Sequence, residues 1–229
     1  MSISEEKIKQ HLNDIKEKIK KAQNRFGAKD KNVELVAVSK THNEDEVEVV
    51  IKLGQRIFGE NRVQEAYSKW PSLKEKYSDV KLHLIGPLQT NKVKDAIALF
   101  DVIETLDREK LAKKLQSEMK IANKLLPVFI QVNIGNEPQK VGVDPQQAVQ
   151  FAKKCKNEYG LNIVGLMAIP PLDLPAGPFF AQLRQLANEA RVENLSMGMS
   201  KDFEEAIYMG ATHVRVGTAI FGSRGQIIK

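Results

Sequence analysis

Short apolar runs alternate with amphipathic segments along almost the whole chain. Eight of these runs have the length of β-strands, and several are apolar on both faces, which is typical of strands buried inside a parallel sheet. The runs lie at residues 33–38, 56–59, 81–86, 101–106, 126–134, 162–169, 194–199 and 212–217.

Helical segments precede the first run and separate the others. Ser2 and Glu5 have the spacing of a capping box, so a helix is predicted to open the chain. Later helix starts are indicated by Asn43 before three acidic residues, by Asp107, and by Asp144 before a proline. The apolar face of the opening helix is formed by Ile8, Leu12, Ile15 and Ile19.

Eight strand–helix units after an extra helix predict an α/β protein with one (β/α)₈ barrel, also called a TIM barrel. The connections are short, and no linker or low-complexity tract divides the chain, so we expect a single domain over residues 1–229. An open, doubly wound sheet is the alternative. It is less favoured because no Gly-x-Gly-x-x-Gly turn follows the first run.

The composition is that of an ordinary soluble protein, with 42% hydrophobic and 28% charged residues. The first twenty residues mix acids and bases, and no run approaches the roughly 20 apolar residues that span a bilayer. We therefore expect a cytoplasmic protein without membrane contacts. The net charge of +6 is spread over lysine-rich helix faces without a nucleic-acid motif, which favours small anionic ligands over nucleic acid.

The single cysteine excludes an intrachain disulfide and a multi-cysteine metal site. Cys155 shares a helical face with Ala148 and Ala152, so we expect it to pack as a small hydrophobe rather than act as a nucleophile. The four histidines have no metal-ligand spacing, so no metal site is predicted.

In a barrel of this kind, active-site groups come from the carboxyl ends of the strands. Residues far apart in the sequence would meet there at one mouth. The candidates at these strand ends are Lys40, Asn61, Ser200, Arg215, Gly217 and Thr218, with Arg62 and Lys140 on neighbouring loops.

Together, these candidates predict a pyridoxal 5'-phosphate (PLP) site. The amine of Lys40 is placed for imine chemistry, while Ser200 and the Gly217–Thr218 turn offer hydroxyl and backbone N–H groups to a phosphate. For each turn considered singly, plain helix capping is an equally good interpretation, and Ser200 is placed as a natural cap. The combination of lysine and turns is what indicates the cofactor.

The remaining candidates keep two interpretations each. Arg215 shares a strand face with Gly217 and could face a pyridine nitrogen, or it could form a salt bridge to a glutamate of the barrel. Asn61 could bond a ring substituent or cap the next helix. His83 could face the ring from the third strand, although a satisfied core histidine is favoured.

Six strings of residues resemble those of the YggS/PROSC-type pyridoxal phosphate homeostasis proteins. They run in order over nearly the whole chain. One departure is Asn43, where a proline is common in the family. The strings are 37–42 (AVSKTH), 58–65 (FGENRVQE), 83–92 (HLIGPLQTNK), 165–170 (GLMAIP), 195–200 (LSMGMS) and 212–222 (THVRVGTAIFG).

The resemblance implies the barrel of alanine racemases, called fold type III among PLP proteins. It implies that Lys40 holds PLP as an internal aldimine and that Arg215 faces the ring nitrogen. Ser200, Gly217 and Thr218 would hold the phosphate, and Asn61 would line the ring. The family is described as binding PLP and influencing vitamin B6 balance, without an established turnover.

Three functions follow as hypotheses. The first is a monomeric PLP carrier or buffer without catalytic turnover, which exchanges the cofactor with amino acids or PLP-accepting apoenzymes. The second is an amino-acid racemase, which is less favoured because the barrel leaves no residues for the second domain that supplies an opposing base. The third is a Schiff-base aldolase acting on a phosphorylated sugar. Lys140 is the next candidate for the imine if Lys40 does not form it.

Overall fold

The computed structural model describes residues 4–25 and 32–222. Each of the eight predicted runs overlaps a strand. Seven strands lie within their runs, and the second extends one residue past its run, to Glu60. The strands are β1 Glu34–Val38, β2 Ile57–Glu60, β3 Lys81–Leu84, β4 Val102–Leu106, β5 Val128–Val132, β6 Ile163–Ala168, β7 Asn194–Ser196 and β8 His213–Val216.

Helices lie before β1 and after every strand. A single 3₁₀ turn at Thr90–Lys92 precedes one of them. The helices are α1 Glu5–Arg25, α2 Glu44–Lys52, α3 Val63–Tyr67, α4 Trp70–Lys76, α5 Val93–Leu99, α6 Glu109–Ala122, α7 Pro145–Asn157, α8 Gly177–Ala190, α9 Phe203–Tyr208 and α10 Thr218–Phe221.

The strands close into one parallel barrel in chain order, from β1 to β8. Closure is made by β1 and β8, which pair in parallel from Glu34 opposite His213 to Ala37 opposite Val216. The (β/α)₈ prediction is therefore confirmed, and the open-sheet alternative is wrong. Because all strands point the same way, every strand's carboxyl end lies at one mouth of the barrel.

The extra helix α1 lies against the last units of the barrel, α9 and α10. Its predicted apolar face is buried, and His11 Nδ1 lies 3.2 Å from the carbonyl oxygen of Ile220. The predicted capping residue Ser2 lies outside the described residues. Among the described helices, none combines the length and apolarity that a bilayer crossing needs.

Of the three helix starts predicted at Asn43, Asp107 and Asp144, two are confirmed and one is wrong. Asn43 caps α2 through a capping box with Glu46, and Asp144 accepts a hydrogen bond from Gln146 N at the start of α7. The helix predicted to open at Asp107 begins at Glu109, with Arg108 as its N-cap residue. Asp107 instead pairs with the Arg108 side chain at 2.5 Å.

Cys155 is fully buried on α7, as predicted. Burial raises the pKa of its thiol to about 12, so the group stays protonated and unreactive at neutral pH. The described residues contain no cluster of histidine, cysteine and acidic side chains that could hold a metal ion.

Candidate functional site

A cavity of about 680 Å³ opens at the carboxyl-end mouth of the barrel. This volume is in the range of small-molecule sites. All six predicted ligand residues line it, although they come from both ends of the chain: Lys40, Asn61, Ser200, Arg215, Gly217 and Thr218. The strand-end rule therefore selected residues that share one cavity, while their contacts with a cofactor stay a prediction.

Lys40 lies in a tight turn directly after β1. Thr41 has a φ of 67°, a left-handed conformation that is uncommon for a residue with a branched side chain. The backbone N–H of Thr41 donates to the carboxylate of Glu65, which fixes this conformation. The turn is thus held by a contact from α3, and the base of the Lys40 side chain has a defined direction.

Lys69 also contacts this turn. Its buried amine donates to the carbonyl oxygens of Ser39 at 2.8 Å and His42 at 2.9 Å. These carbonyls lie on either side of Lys40. The charge of Lys69 is balanced by Glu60, whose carboxylate lies 2.8 Å away and is also buried. We call Lys69 and Glu60 the turn clamp.

Arg215 lies at the bottom of the cavity, almost completely buried. It donates to Ser196 Oγ at 2.6 Å and to the carbonyl oxygen of Ala168 at 2.9 Å. Ser196 Oγ in turn donates to Glu104 at 2.5 Å. Arg215 thus forms no direct salt bridge to a glutamate among the described residues, because a hydroxyl separates it from Glu104. Its remaining donors are compatible with a ligand as well.

Glu104 is the buried carboxylate of this core network. His83 Nδ1 lies 2.6 Å from its second oxygen, so the interpretation of His83 as a satisfied core histidine is confirmed. Burial alone would raise the pKa of Glu104, but the hydrogen bond from His83 and the charges of His83 and Arg215 lower it to about 2. The carboxylate is therefore ionised at neutral pH.

The turn after β7 differs from the prediction in one respect. Ser200 does not cap the following helix, because α9 begins only at Phe203 with Asp202 as its N-cap residue. Asp202 instead accepts a hydrogen bond from Met199 N at 2.6 Å, which holds the turn in place. Ser200 lines the cavity.

The turn after β8 brings Gly217 next to β1. A methyl group in place of its hydrogen would lie 3.1 Å from the carbonyl oxygen of Val38, so the glycine also serves close strand packing. Thr218 begins α10. Of the residues in this helix, Thr218 lines the cavity.

Two of the candidates, Asn61 and Lys140, differ in their relation to the cavity. Asn61 lines the cavity, and it does not cap α3, whose N-cap residue is Arg62. Lys140 pairs with Glu137 at 2.5 Å and donates to the carbonyl oxygen of Pro170 at 3.2 Å. Lys140 is not among the residues that line the cavity, but Pro170 is.

A second cavity of about 670 Å³ lies at the opposite mouth, around the first residues of several strands. There His213 Nε2 lies 2.9 Å from Glu34, and His83 reaches the same space from β3. It contains none of the six predicted ligand residues.

Sequence reasoning missed the residues that support the site rather than line it. Glu104 had a readable signal, since a charged residue stands inside the apolar run 101–106. Lys69 had none, because it follows a polar stretch of the chain. The supporting residues that the structure adds are Glu60, Glu65, Lys69, Glu104 and Ser196.

Comparisons with known proteins identify the family of this chain. The family model described as alanine racemase, N-terminal domain, matches residues 10–225. A Pasteurella multocida protein named pyridoxal phosphate homeostasis protein is 40% identical over 227 residues, covering 95% of this chain and 97% of that protein.

Two solved structures add to this. PipY of Synechococcus elongatus, with PLP bound, is 34% identical with a TM-score of 0.82, covering 94% of this chain and 100% of PipY. An alanine racemase from Clostridium difficile is 14% identical with a TM-score of 0.71, covering 97% of this chain and 58% of that chain, and it shows the shared fold alone. This chain therefore belongs to the family of pyridoxal phosphate homeostasis proteins, built on the alanine racemase N-terminal domain.

Proposed function

We propose that this chain binds PLP in the cavity at the carboxyl-end mouth, as an imine with Lys40. It would act in PLP homeostasis as a carrier or buffer without dedicated turnover. One observation supports this above all: a lysine from the first strand end and the turns after the last two strands line one cavity. PipY, a relative at 34% identity, has been solved with PLP bound.

The residues present fit this cofactor. Lys40 would supply the amine, Ser200 and Thr218 would supply donors for a phosphate, and Asn61 and Arg215 line the same cavity. Arg215 has two protein acceptors on its Nη atoms. Because a guanidinium has five N–H donors, it can offer another to the ring nitrogen.

The bound cofactor would supply an electrophilic aldehyde. The chain's own groups favour holding it over demanding chemistry, because Arg215 cannot protonate the ring nitrogen and leaves a weak electron sink. The cavity also opens to water. Leu172 on its rim is 84% exposed, and Leu174 is 55% exposed. Both features suit binding and exchange.

The finer parts of this proposal concern the assembly and its partners. We propose one PLP-binding domain over residues 1–229, acting as a cytoplasmic monomer. Cofactor would pass to amino acids or PLP-accepting apoenzymes by imine exchange. The racemase alternative has less support, because the similarity to alanine racemase is one of fold, whereas a relative at 40% identity carries the homeostasis name.

The test is spectroscopic. Protein purified with PLP should be yellow, and borohydride should fix the pyridoxyl group on Lys40, identified by peptide mass. Lys40→Ala should lose the imine absorption yet stay folded by circular dichroism, whereas Lys140→Ala should keep it.

Three results would contradict the proposal. They are a colourless protein that traps a sugar phosphate, an imine on Lys140 in the unaltered chain, and rapid interconversion of alanine enantiomers.

A further inference from the structure

His42 is a titratable group inside the proposed site that binding of PLP does not use. It lies two residues after Lys40 and lines the same cavity. Its side chain is 13% exposed. An imidazole changes its protonation near neutral pH more readily than any other side chain. Its position in the cavity that Lys40 also lines therefore calls for a chemical explanation.

The ring of His42 is held by two contacts. Nδ1 lies 3.0 Å from Glu46 Oε2, and the ring stacks on Phe221 with the centroids 4.4 Å apart and the planes 21° apart. The backbone is fixed too, since the N–H donates to Ser39 O at 3.2 Å and the carbonyl accepts from Lys69 at 2.9 Å. Both the place and the orientation of the ring are thus defined.

Glu46 is itself fixed by the first turn of α2. Its Oε2 accepts the N–H of Asn43 at 3.3 Å, and its own N–H donates to Asn43 Oδ1 at 2.9 Å. An ionised carboxylate only accepts hydrogen bonds, so Nδ1 of His42 carries the hydrogen. Nε2 is then the basic nitrogen of the neutral ring. A carboxylate that sets the tautomer in this way is typical of acid–base histidines.

Imine chemistry at Lys40 needs such a group. To bind the cofactor, Lys40 Nζ gains a double bond to the aldehyde carbon and loses two protons, which leave with the aldehyde oxygen as water. For exchange, an incoming amine gives up two protons and Lys40 Nζ regains two, while the carbon–nitrogen double bond passes from one nitrogen to the other. No electrons are gained or lost, so proton transfer is the only assistance required.

We propose that His42 carries these protons as the general acid–base of imine formation and exchange at Lys40, with Glu46 as its positioning residue. The inference rests on the proposed function and deepens it. It makes this chain a catalysed exchanger of PLP rather than a passive store.

A kinetic test separates this role from simple packing or binding. Cofactor-free protein is mixed with PLP, and formation of the imine is followed by stopped-flow absorbance. Release is followed as hydrolysis of the imine, the reverse of loading, after loaded protein is diluted far below the Kd for PLP. Exchange is measured separately by adding excess L-alanine to loaded protein. A proton carrier accelerates both directions equally. His42→Gln should therefore slow loading and release by the same factor, about 10- to 100-fold, and leave the Kd for PLP within about twofold.

His11→Gln is the matched control, because His11 contacts the same short helix through Ile220 O but does not line the cavity. It should leave both rates unchanged. Glu46→Gln keeps the imidazole and loses its ionised partner, so it should slow both rates by a smaller factor. This second variant keeps the test decisive if His42→Gln does not fold.

The inference is overturned if His42→Gln loads and releases at parental rates. It is also overturned if release accelerates and the Kd rises, because the ring would then be a binding contact. If the unaltered chain forms no imine at Lys40, the proposed function itself fails.

Discussion

Arg215 and Glu104 face each other across a single hydroxyl group: Ser196 Oγ lies 2.6 Å from Arg215 Nη1 and 2.5 Å from Glu104 Oε2. All three residues are almost completely buried. The hydroxyl donates to the carboxylate and accepts from the guanidinium, so each polar group has a partner. The position of Arg215 at the bottom of the cavity therefore depends on a carboxylate that it does not contact directly.

Removing the hydroxyl should destabilise the barrel. In Ser196→Ala, a buried guanidinium N–H and a buried carboxylate oxygen each lose a partner, which typically costs about 1–3 kcal/mol for one unsatisfied group. Urea unfolding measures the change. Ser68→Ala removes an exposed hydroxyl that donates to Glu65 O, and it should stay within about 0.5 kcal/mol of the parent. Equal stability of the two variants would contradict the prediction that the Ser196 hydroxyl stabilises the barrel.

The ionisation of Glu104 predicts a specific acid dependence. Its pKa is about 2 in the folded protein, against 4.5 as the ordinary value. A lowered folded-state pKa means that the stabilisation is present above pH 4.5 and is lost as the pH falls toward 2. The ionised carboxylate stabilises the folded protein by about 3 kcal/mol. Unfolding measured between pH 5 and 2 should show this loss in the parent and a shallower dependence in Glu104→Gln. Parallel curves would contradict the prediction.

Breaking the turn clamp should affect both stability and Lys40. Lys69→Met leaves Glu60 as a buried charge without its cation, a type of change that costs about 3–5 kcal/mol. It also releases the carbonyls beside Lys40, so the binding of PLP should weaken.

Lys74→Met is the matched control for the turn clamp. Lys74 likewise joins a backbone carbonyl, Leu99 O, to a carboxylate, that of Asp101, and it does not line the cavity. It should lower the free energy of unfolding and leave the Kd for PLP unchanged. If Lys69→Met retains the parental Kd, the turn does not need the clamp.

Gly198 should not tolerate a side chain. Its φ is +89°, and an added Cβ would lie 2.5 Å from Ala206 Cβ. Gly54 has nearly the same φ, +87°, with nothing within 4 Å of an added Cβ. Both alanine variants incur about 1–2 kcal/mol of backbone strain, and only Gly198→Ala adds overpacking of about 1–3 kcal/mol. Thermal unfolding of the two proteins gives the difference directly, and equal melting temperatures would contradict it.

The fold could be predicted from the sequence because buried strands and helices produce a regular alternation of apolar runs and amphipathic segments. All eight apolar runs overlap strands, and the first and last strands are neighbours in the barrel. Strand ends were less predictable. Apolar residues such as Met197 remain buried beyond the last residue of a strand, so hydrophobicity alone does not mark where the ladder of hydrogen bonds stops.

The site was predictable only in part. The residues lining the cavity followed from one rule, that the carboxyl ends of parallel strands share a mouth. The helix start after Ser200 was wrong, because Asp202 binds Met199 N and moves the first turn onward. In the turn clamp, Lys69 donates to the main-chain carbonyl of Ser39, thirty positions earlier. Every residue has such a carbonyl, so the sequence does not show which one is used.

The pairing of β1 with β8 also sets the order of events during synthesis. A nascent polypeptide exposes Lys40 early, yet the strand that lies beside it emerges more than 170 residues later. The turn after β8 cannot approach the amine until that last strand has docked. A ribosome-stalled chain cut before residue 213 should therefore fail to retain the vitamin, which makes retention a reporter of completed folding.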